Sequence, residues 1–301
     1  MEIYYFSGTG NSLAVARDLA EKTQGQLHSI PARMAQENLR PLGEELGLVF
    51  PVYHGGLPYL VKRFIDKLPD LGSKYVFGIC TYGDSPGLTM EYLGQAIQAR
   101  GGQLAAGYSV HMPYNYITPG GGLRDFFQSF RLREIAFERQ QALFADWKKK
   151  VEPICGSVRA RERVAPEIDH ARLNHVLDWL TVKETVGKPV WLKIAGSRAP
   201  AGQSFVESRQ WMDGAFWSDE NCNGCGTCAR LCPVGNIRMA ADRPAWEHRC
   251  EQCFACLQWC PRGALQFGRK AAGQKRYHHP DVKLADMLRQ SSAHSAEAEV
   301  P

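Results

Sequence analysis

Short apolar runs alternate with helical patterns over the first 112 residues. The apolar runs predict five strands, at Ile3–Phe6, Gln26–Ile30, Leu46–Phe50, Tyr75–Cys80 and Leu104–Met112. Apolar residues at helical spacing between them predict helices at Ser12–Lys22, Leu57–Asp66 and Pro86–Arg100. Strands that alternate with helices are typical of a parallel α/β sheet. We therefore predict a doubly wound parallel sheet in this part of the chain.

The pattern changes after Pro113, first to helical and then to irregular. Aromatic and aliphatic residues at helical spacing predict one long helix over Leu123–Val151, which Pro153 should end. No regular periodicity dominates the following residues up to about 214. We predict that this stretch is a connecting region, either a linker or a lid.

Composition narrows the class of protein. The chain has 301 residues, 44% hydrophobic and 22% charged, which is ordinary for a soluble protein of two domains. Its N-terminal residues lack a basic and apolar leader, so we expect no secretion signal. No apolar stretch approaches the length of a membrane span, so we expect none. The net charge of +5 points weakly to acidic partners, and no motif indicates nucleic-acid binding.

Ten cysteines in a chain without an export signal indicate metal ligands rather than disulfides, because a reducing compartment keeps thiols free. This predicts a cytoplasmic protein. Eight of the ten form two runs with identical spacing, Cys-x2-Cys-x2-Cys-x3-Cys-Pro. The first run consists of Cys222, Cys225, Cys228 and Cys232, and the second of Cys250, Cys253, Cys256 and Cys260.

The spacing of these runs is that of bacterial two-cluster ferredoxins. Three closely spaced thiolates can hold three irons of one cubane, and the fourth, placed before a proline, reaches the other. We therefore predict two [4Fe-4S] clusters with crossed ligands: Cys222, Cys225, Cys228 and Cys260 on one, and Cys250, Cys253, Cys256 and Cys232 on the other. Structural zinc is the alternative, but zinc requires neither the third cysteine nor the proline.

A hydroxyl-rich loop follows the first predicted strand. It consists of Ser7, Gly8, Thr9, Gly10, Asn11 and Ser12. Its hydroxyls and the N–H groups at the helix start can surround one terminal phosphate, which suits FMN. The loop lacks the lysine of a P-loop. A dinucleotide loop would have a small residue where Leu13 stands.

Two more loops follow predicted strands and should lie at the same sheet edge, where open α/β folds bind ligands. One loop contains Pro51, Val52, Tyr53, His54, Gly55 and Gly56, and the other contains Thr81, Tyr82, Gly83 and Asp84. Either tyrosine could stack on the flavin ring. The glycines would allow the backbone to approach the ring closely.

These loops and both cysteine runs carry a family resemblance. The N-terminal part resembles flavodoxin, and the whole chain resembles the flavodoxin-ferredoxin fusion proteins, sometimes called ferrodoxins. The resemblance implies a flavodoxin-like sheet with FMN on the three loops, followed by a small α+β ferredoxin domain with two cubanes. We accordingly expect an FMN domain at 1–150, a connecting region at 151–214, a ferredoxin domain at 215–270 and a tail at 271–301.

Together these patterns favour an electron-transfer flavoprotein that relays electrons between two clusters and FMN, with redox proteins as its partners. A flavin-dependent reductase of a small organic substrate, fed through the clusters, is one alternative. A redox sensor or scaffold is another. The sequence assigns no catalytic residue, electron donor or acceptor.

Overall fold

The computed structural model describes residues 1–36, 39, 41, 43–115, 117, 137–168, 192–193, 197–268 and 274–291. The chain divides into two compact units. One comprises Met1–Tyr114 and Glu134–Asp178, and the other comprises Asn115–Arg133 and Trp179–Pro301. All ten cysteines lie within the described ranges, and each is a free thiol.

The first unit contains a five-stranded, fully parallel sheet. Its strands are β1 (Glu2–Tyr5), β2 (Gln26–Ser29), β3 (Glu45–Pro51), β4 (Tyr75–Tyr82) and β5 (Leu104–His111). The strand order β2-β1-β3-β4-β5 is the flavodoxin-like order, so the predicted fold class is confirmed. Strands β3 and β4 are almost entirely buried, which explains why they are continuous apolar runs.

Five helices of this unit lie in the part of the chain that the structure describes. They are α1 (Asn11–Thr23), α2 (Ile30–Met34), α3 (Tyr59–Lys67), α4 (Thr89–Gln98) and α5 (Phe137–Arg159). The pattern predicted α1, α3 and α4 but missed α2, which is a short helix directly after β2. The hydroxyl of Ser29 caps α2 by accepting the N–H of Ala32, and Pro31 occupies its first turn.

The predicted end of the long helix at Pro153 is wrong. Helix α5 continues through this proline to Arg159 and packs on α1 and β5. Proline costs the helix one hydrogen bond, but Val151 and Ile154 are buried on either side of it. The indole N–H of Trp147 also donates to the carboxylate of Asp18 in α1, at 2.7 Å. Tertiary packing therefore outweighs the local penalty.

The second unit is a small α+β structure with two antiparallel strand pairs. Its elements are α6 (Phe205–Gln210), a 3-10 helix (Trp211–Ala215), β6 (Phe216–Ser218), α7 (Thr227–Leu231), β7 (Ile237–Ala240), β8 (Arg243–Trp246), α8 (Ala255–Gln258), β9 (Leu265–Phe267) and α9 (Leu284–Ser291). Strand β6 pairs with β9, and β7 pairs with β8. The core between them contains Phe216, Phe254 and Phe267 in mutual ring contact.

Several predicted features fall on residues outside the described ranges. They include the first part of the long helix, residues 123–136, most of the connecting region and the end of the tail. The domain boundaries at 150, 214 and 270 remain predictions. In the parts of the chain that the structure describes, no helix is both long and apolar enough to span a bilayer.

Two glycines of the first unit provide a matched test of this packing. Gly47 of β3 lies opposite Phe77 of β4, and a Cβ atom on Gly47 would lie 2.5 Å from the Phe77 ring. Because Phe77 is fully buried, Gly47→Ala should lower the free energy of unfolding by about 1–3 kcal/mol. No atom of the described residues lies within 4 Å of a Cβ atom on Gly94 of α4, so Gly94→Ala should raise the free energy of unfolding by up to about 1 kcal/mol.

Denaturant unfolding followed by circular dichroism measures both effects. Equal midpoints for the two variants would contradict the packing of Phe77 over β3.

Candidate functional site

The three predicted loops meet at the carboxyl edge of the sheet. They follow β1, β3 and β4, which are adjacent and parallel. The order of the strands reverses between β1 and β3, and ligands bind at such switch points in open α/β sheets. The fold therefore brings together all three loops that the sequence singled out.

The first loop is buried and well ordered by its own hydrogen bonds. Ser7 accepts the N–H of Gly10 at 3.0 Å, and Gly10 adopts a left-handed conformation with φ of 99°. Gly10 is the N-cap of α1 and supplies no side-chain cap, so the first turn of α1 presents its N–H groups to the loop. Ser7, Thr9 and Ser12 are each almost completely buried. A helix start of this kind is an anion site.

The other two loops are tied to the first and to each other. The Ser12 hydroxyl lies 2.8 Å from that of Thr81, and the N–H of Val52 donates to the Thr81 carbonyl. Residues 53–56 form a tight turn in which Tyr53 and Gly56 exchange backbone hydrogen bonds. His54 and Gly55 have positive φ in this turn. Pro51 and Thr81 are buried at the ends of β3 and β4, whereas Asp84 is exposed.

Residues at the end of β5 complete this edge and were missed from the sequence. The Pro113 carbonyl accepts a hydrogen bond from the Asn11 amide at 3.2 Å. His111 stacks on Tyr82, with ring centroids 5.1 Å apart, and its Nε2 lies 3.1 Å from the Gly83 carbonyl. Sequence reasoning could have found these residues from their position alone, because β5 ends at the same edge of the sheet as β4.

In the second unit, four cysteines of the two runs line a single cavity. They are Cys222, Cys225, Cys228 and Cys260. The first three come from the first run, and the fourth comes from the end of the second. Within the described residues, no three His, Cys, Asp or Glu side chains converge on a position for one metal ion.

The other four cysteines also lie near one another. The thiol of Cys232, from the first run, interacts electrostatically with those of Cys253 and Cys256. Cys250 interacts with the same two thiols. Cys256 is also close to Cys228, so the two groups of thiols are adjacent.

Burial and hydrogen bonding act differently on these thiols. Burial raises the pKa of Cys228 to about 11 and that of Cys253 to about 12. Cys225 is exposed, and a hydrogen bond with the Thr227 hydroxyl at 3.3 Å lowers its pKa. The backbone N–H of Asn236 donates to the sulfur of Cys232 at 3.1 Å. Donors to sulfur and solvent exposure both tune cluster potentials.

Both runs have the same backbone turn, built from different residues. In the first run Gly224 and Gly226 have φ of 71° and 68°. In the second run Gln252 and Phe254 occupy the matching positions with φ of 55° and 57°. This conformation costs a non-glycine residue about 1–2 kcal/mol. Phe254 offsets that cost by packing in the core, and the N–H of Gln252 donates to the Cys250 sulfur at 3.3 Å.

Comparison with protein families gives one match, to the family described as "4Fe-4S binding domain", over residues 215–238. This range contains the first cysteine run. The match supports at least one four-iron cluster on the chain and an iron-sulfur electron-transfer role. A search of curated proteins found no match.

The solved structures that are similar to the chain include the following three. A putative flavoprotein from Bacteroides uniformis is 20% identical over 38% of this chain and 91% of its own, with a TM-score of 0.31. The apo form of the NADH:FMN oxidoreductase EMOB is 16% identical over 57% and 97%, with a TM-score of 0.35. The Trp repressor binding protein from Bacillus subtilis is 18% identical over 42% and 94%, with a TM-score of 0.27. These scores are low, so the fold assignment rests on the strand order of the sheet.

Two glycines of the first cysteine run separate steric contact from backbone strain. A Cβ atom on Gly224 would lie 2.9 Å from Cβ of Asp242, whereas one on Gly226 would meet only Met239, at 3.9 Å. Both positions have positive φ, so Gly224→Ala and Gly226→Ala each introduce backbone strain. Gly224→Ala should cost a further 1–3 kcal/mol or so through overpacking and lose iron faster.

Iron release to a chelator, followed by absorbance, measures this difference. If Gly226→Ala released iron as fast as Gly224→Ala, the contact with Asp242 would not be the cause.

Proposed function

We propose that this protein is an electron-transfer flavoprotein that relays electrons between two [4Fe-4S] clusters, held by the second unit, and FMN, held by the first. When bound, the clusters supply one-electron chemistry and FMN exchanges one or two electrons. The observation that carries the proposal is the crossed grouping of the cysteines. Each group draws three thiols from one run and a fourth from the other.

The spacing of the cysteines favours a cluster over zinc as the occupant of this cavity. Zinc needs two short cysteine pairs and requires neither the third cysteine nor the proline of each run. The cavity is lined by Cys222, Cys225, Cys228 and Cys260. Four thiolates suit a cubane, in which each would bind a different iron.

The residues of the first unit support FMN in the same way. The buried hydroxyls of Ser7, Thr9 and Ser12 surround the uncapped start of α1, which suits a single phosphate. Tyr53 and Tyr82 stand at the ends of adjacent strands and could flank a flat ring. The tight turn at His54 and Gly55 would present backbone groups to that ring.

The roles of this chain's own residues follow from these positions. The cysteines bind iron, and the N–H groups of Asn236 and Gln252 donate to two of their sulfurs. The loop at Ser7–Ser12 would bind phosphate. The loops at Pro51–Gly56 and Thr81–Asp84 would orient the ring and limit water around it.

Crossed ligation can be tested with four single variants. Cys232→Ala should perturb the same cluster as Cys253→Ala, although Cys232 belongs to the first run. Cys260→Ala should perturb the same cluster as Cys225→Ala. Each variant should retain about half of the wild-type iron or convert one cluster to a three-iron centre. Electron paramagnetic resonance of reduced samples, with iron counts, sorts the variants into pairs. If Cys232→Ala groups with Cys225→Ala, the crossing is wrong.

The flavin assignment can be tested separately from the clusters. Replacing Thr9 and Ser12 together by leucine should weaken FMN binding by about tenfold or more, because charged hydrogen bonds to phosphate are lost. Iron content should stay at the wild-type level. Ser109→Ala removes another buried hydroxyl of the same unit, in β5, and is the matched control. Release of FAD instead of FMN from denatured wild-type protein would overturn the assignment.

A further inference from the structure

A completely buried carboxylate lies beside the second group of cysteines but outside both cysteine runs. Asp213, in the 3-10 helix, has no exposed surface. Its Oδ2 atom accepts the side-chain amide of Asn236 and the backbone N–H of His248, both at 2.9 Å. Its Oδ1 atom lies 2.7 Å from Nδ1 of His248, whose ring stacks on Trp211 at 4.1 Å. Three contacts therefore hold this carboxylate.

Asn236 extends this network in two directions. Its backbone N–H donates to the sulfur of Cys232, at 3.1 Å. Its side-chain oxygen accepts the backbone N–H groups of Glu247 and Arg249, and its backbone carbonyl also accepts that of Glu247, at 3.0 Å. Asn236 is itself buried. One residue therefore connects the last cysteine of the first run to the chain segment that enters the second run.

The network joins two ligands of one proposed cluster. Asp213 bonds to Asn236, whose backbone N–H donates to the sulfur of Cys232. It also bonds to His248, which stands two residues before Cys250 in the sequence. These two cysteines come from different runs, 18 positions apart in the sequence, and belong to the same crossed group. No covalent feature of the motif fixes their separation. The hydrogen bonds of Asp213 and Asn236 are placed to fix it.

The cost of burying a carboxylate indicates that its bonds matter. A carboxylate in an apolar setting is strongly unfavourable unless hydrogen-bond donors surround it. The neighbours of Asp213 in the sequence include Met212, which is fully buried in the core. Removing the carboxylate would leave the buried side-chain amide of Asn236 and the N–H groups of the more exposed His248 without this acceptor. This penalty would fall on the segments that carry Cys232 and Cys250.

We propose that Asp213 is a positioning residue that acts through Asn236 to hold Cys232 beside the second cysteine run. It thereby determines how firmly the cluster on Cys232, Cys250, Cys253 and Cys256 is retained. The inference rests on the proposed function, because it requires two clusters with crossed ligands. It adds a residue that the cysteine motif does not contain.

The test uses full-length protein with its clusters and three variants. Asp213→Asn keeps the shape but replaces one of the two acceptor oxygens by an amide donor. Asn236→Ala removes the side chain and leaves the backbone N–H to Cys232. Gln266→Ala is the matched control, because Gln266 is another buried amide bonded to an aspartate, Asp219, at 2.8 Å. Loss of each cluster to an iron chelator is followed by electron paramagnetic resonance of reduced samples, with Cys253→Ala identifying the second cluster.

We expect Asp213→Asn and Asn236→Ala to lose the second cluster about tenfold or more faster than wild type, as is typical for residues that orient ligands. The first cluster should be lost at the wild-type rate, which also shows that the unit is folded. Gln266→Ala should leave the second cluster unchanged. Should Asp213→Asn fail to fold, Asn236→Ala decides.

Two results distinguish failure of the inference from failure of the proposed function. A wild-type protein without two clusters would overturn the proposed function. The inference alone would be overturned if the wild-type protein holds two clusters but the Asp213→Asn and Asn236→Ala variants lose both at equal rates. The same holds if these variants lose neither cluster faster than wild type does.

Discussion

The second unit depends on one constraint: the two cysteine runs must lie against each other. In the proposed ligation, each run supplies three thiols to one cluster and its fourth thiol to the other. The cavity at Cys222, Cys225, Cys228 and Cys260 exists only because the end of the second run reaches the first. Crossing of this kind makes the proposed binding of either cluster depend on the fold of the whole unit. Replacement of one cysteine should therefore destabilise loops of both runs.

Much of the first unit could be predicted because four of its five described strands are largely buried. The apolar run Leu46–Phe50 corresponds to β3 at Glu45–Pro51, and the other predicted strands agree similarly. Loops that follow parallel strands share one sheet edge, so their convergence followed from the strand prediction. The bond between Ser12 and Thr81 could not be predicted, because it depends on the register of two separate strands.

What the sequence could not predict depends on tertiary contacts. Pro153 breaks the local helical pattern, yet burial of Val151 and Ile154 keeps α5 intact. Asp213 looks like any polar residue between apolar ones, and only the folded unit brings it to Asn236 and His248. Gln252 and Phe254 occupy left-handed positions that the first run fills with glycine. Packing and hydrogen bonding to sulfur offset costs that local propensity cannot anticipate.

We propose that one chain holds two clusters and FMN and relays electrons between them. An anaerobic reductive titration of purified protein, followed by absorbance and electron paramagnetic resonance, tests this most directly. The account predicts one electron for each cluster and two for the flavin, with iron and FMN counted in the same sample. Uptake by the flavin alone, with zinc in place of iron, would contradict it.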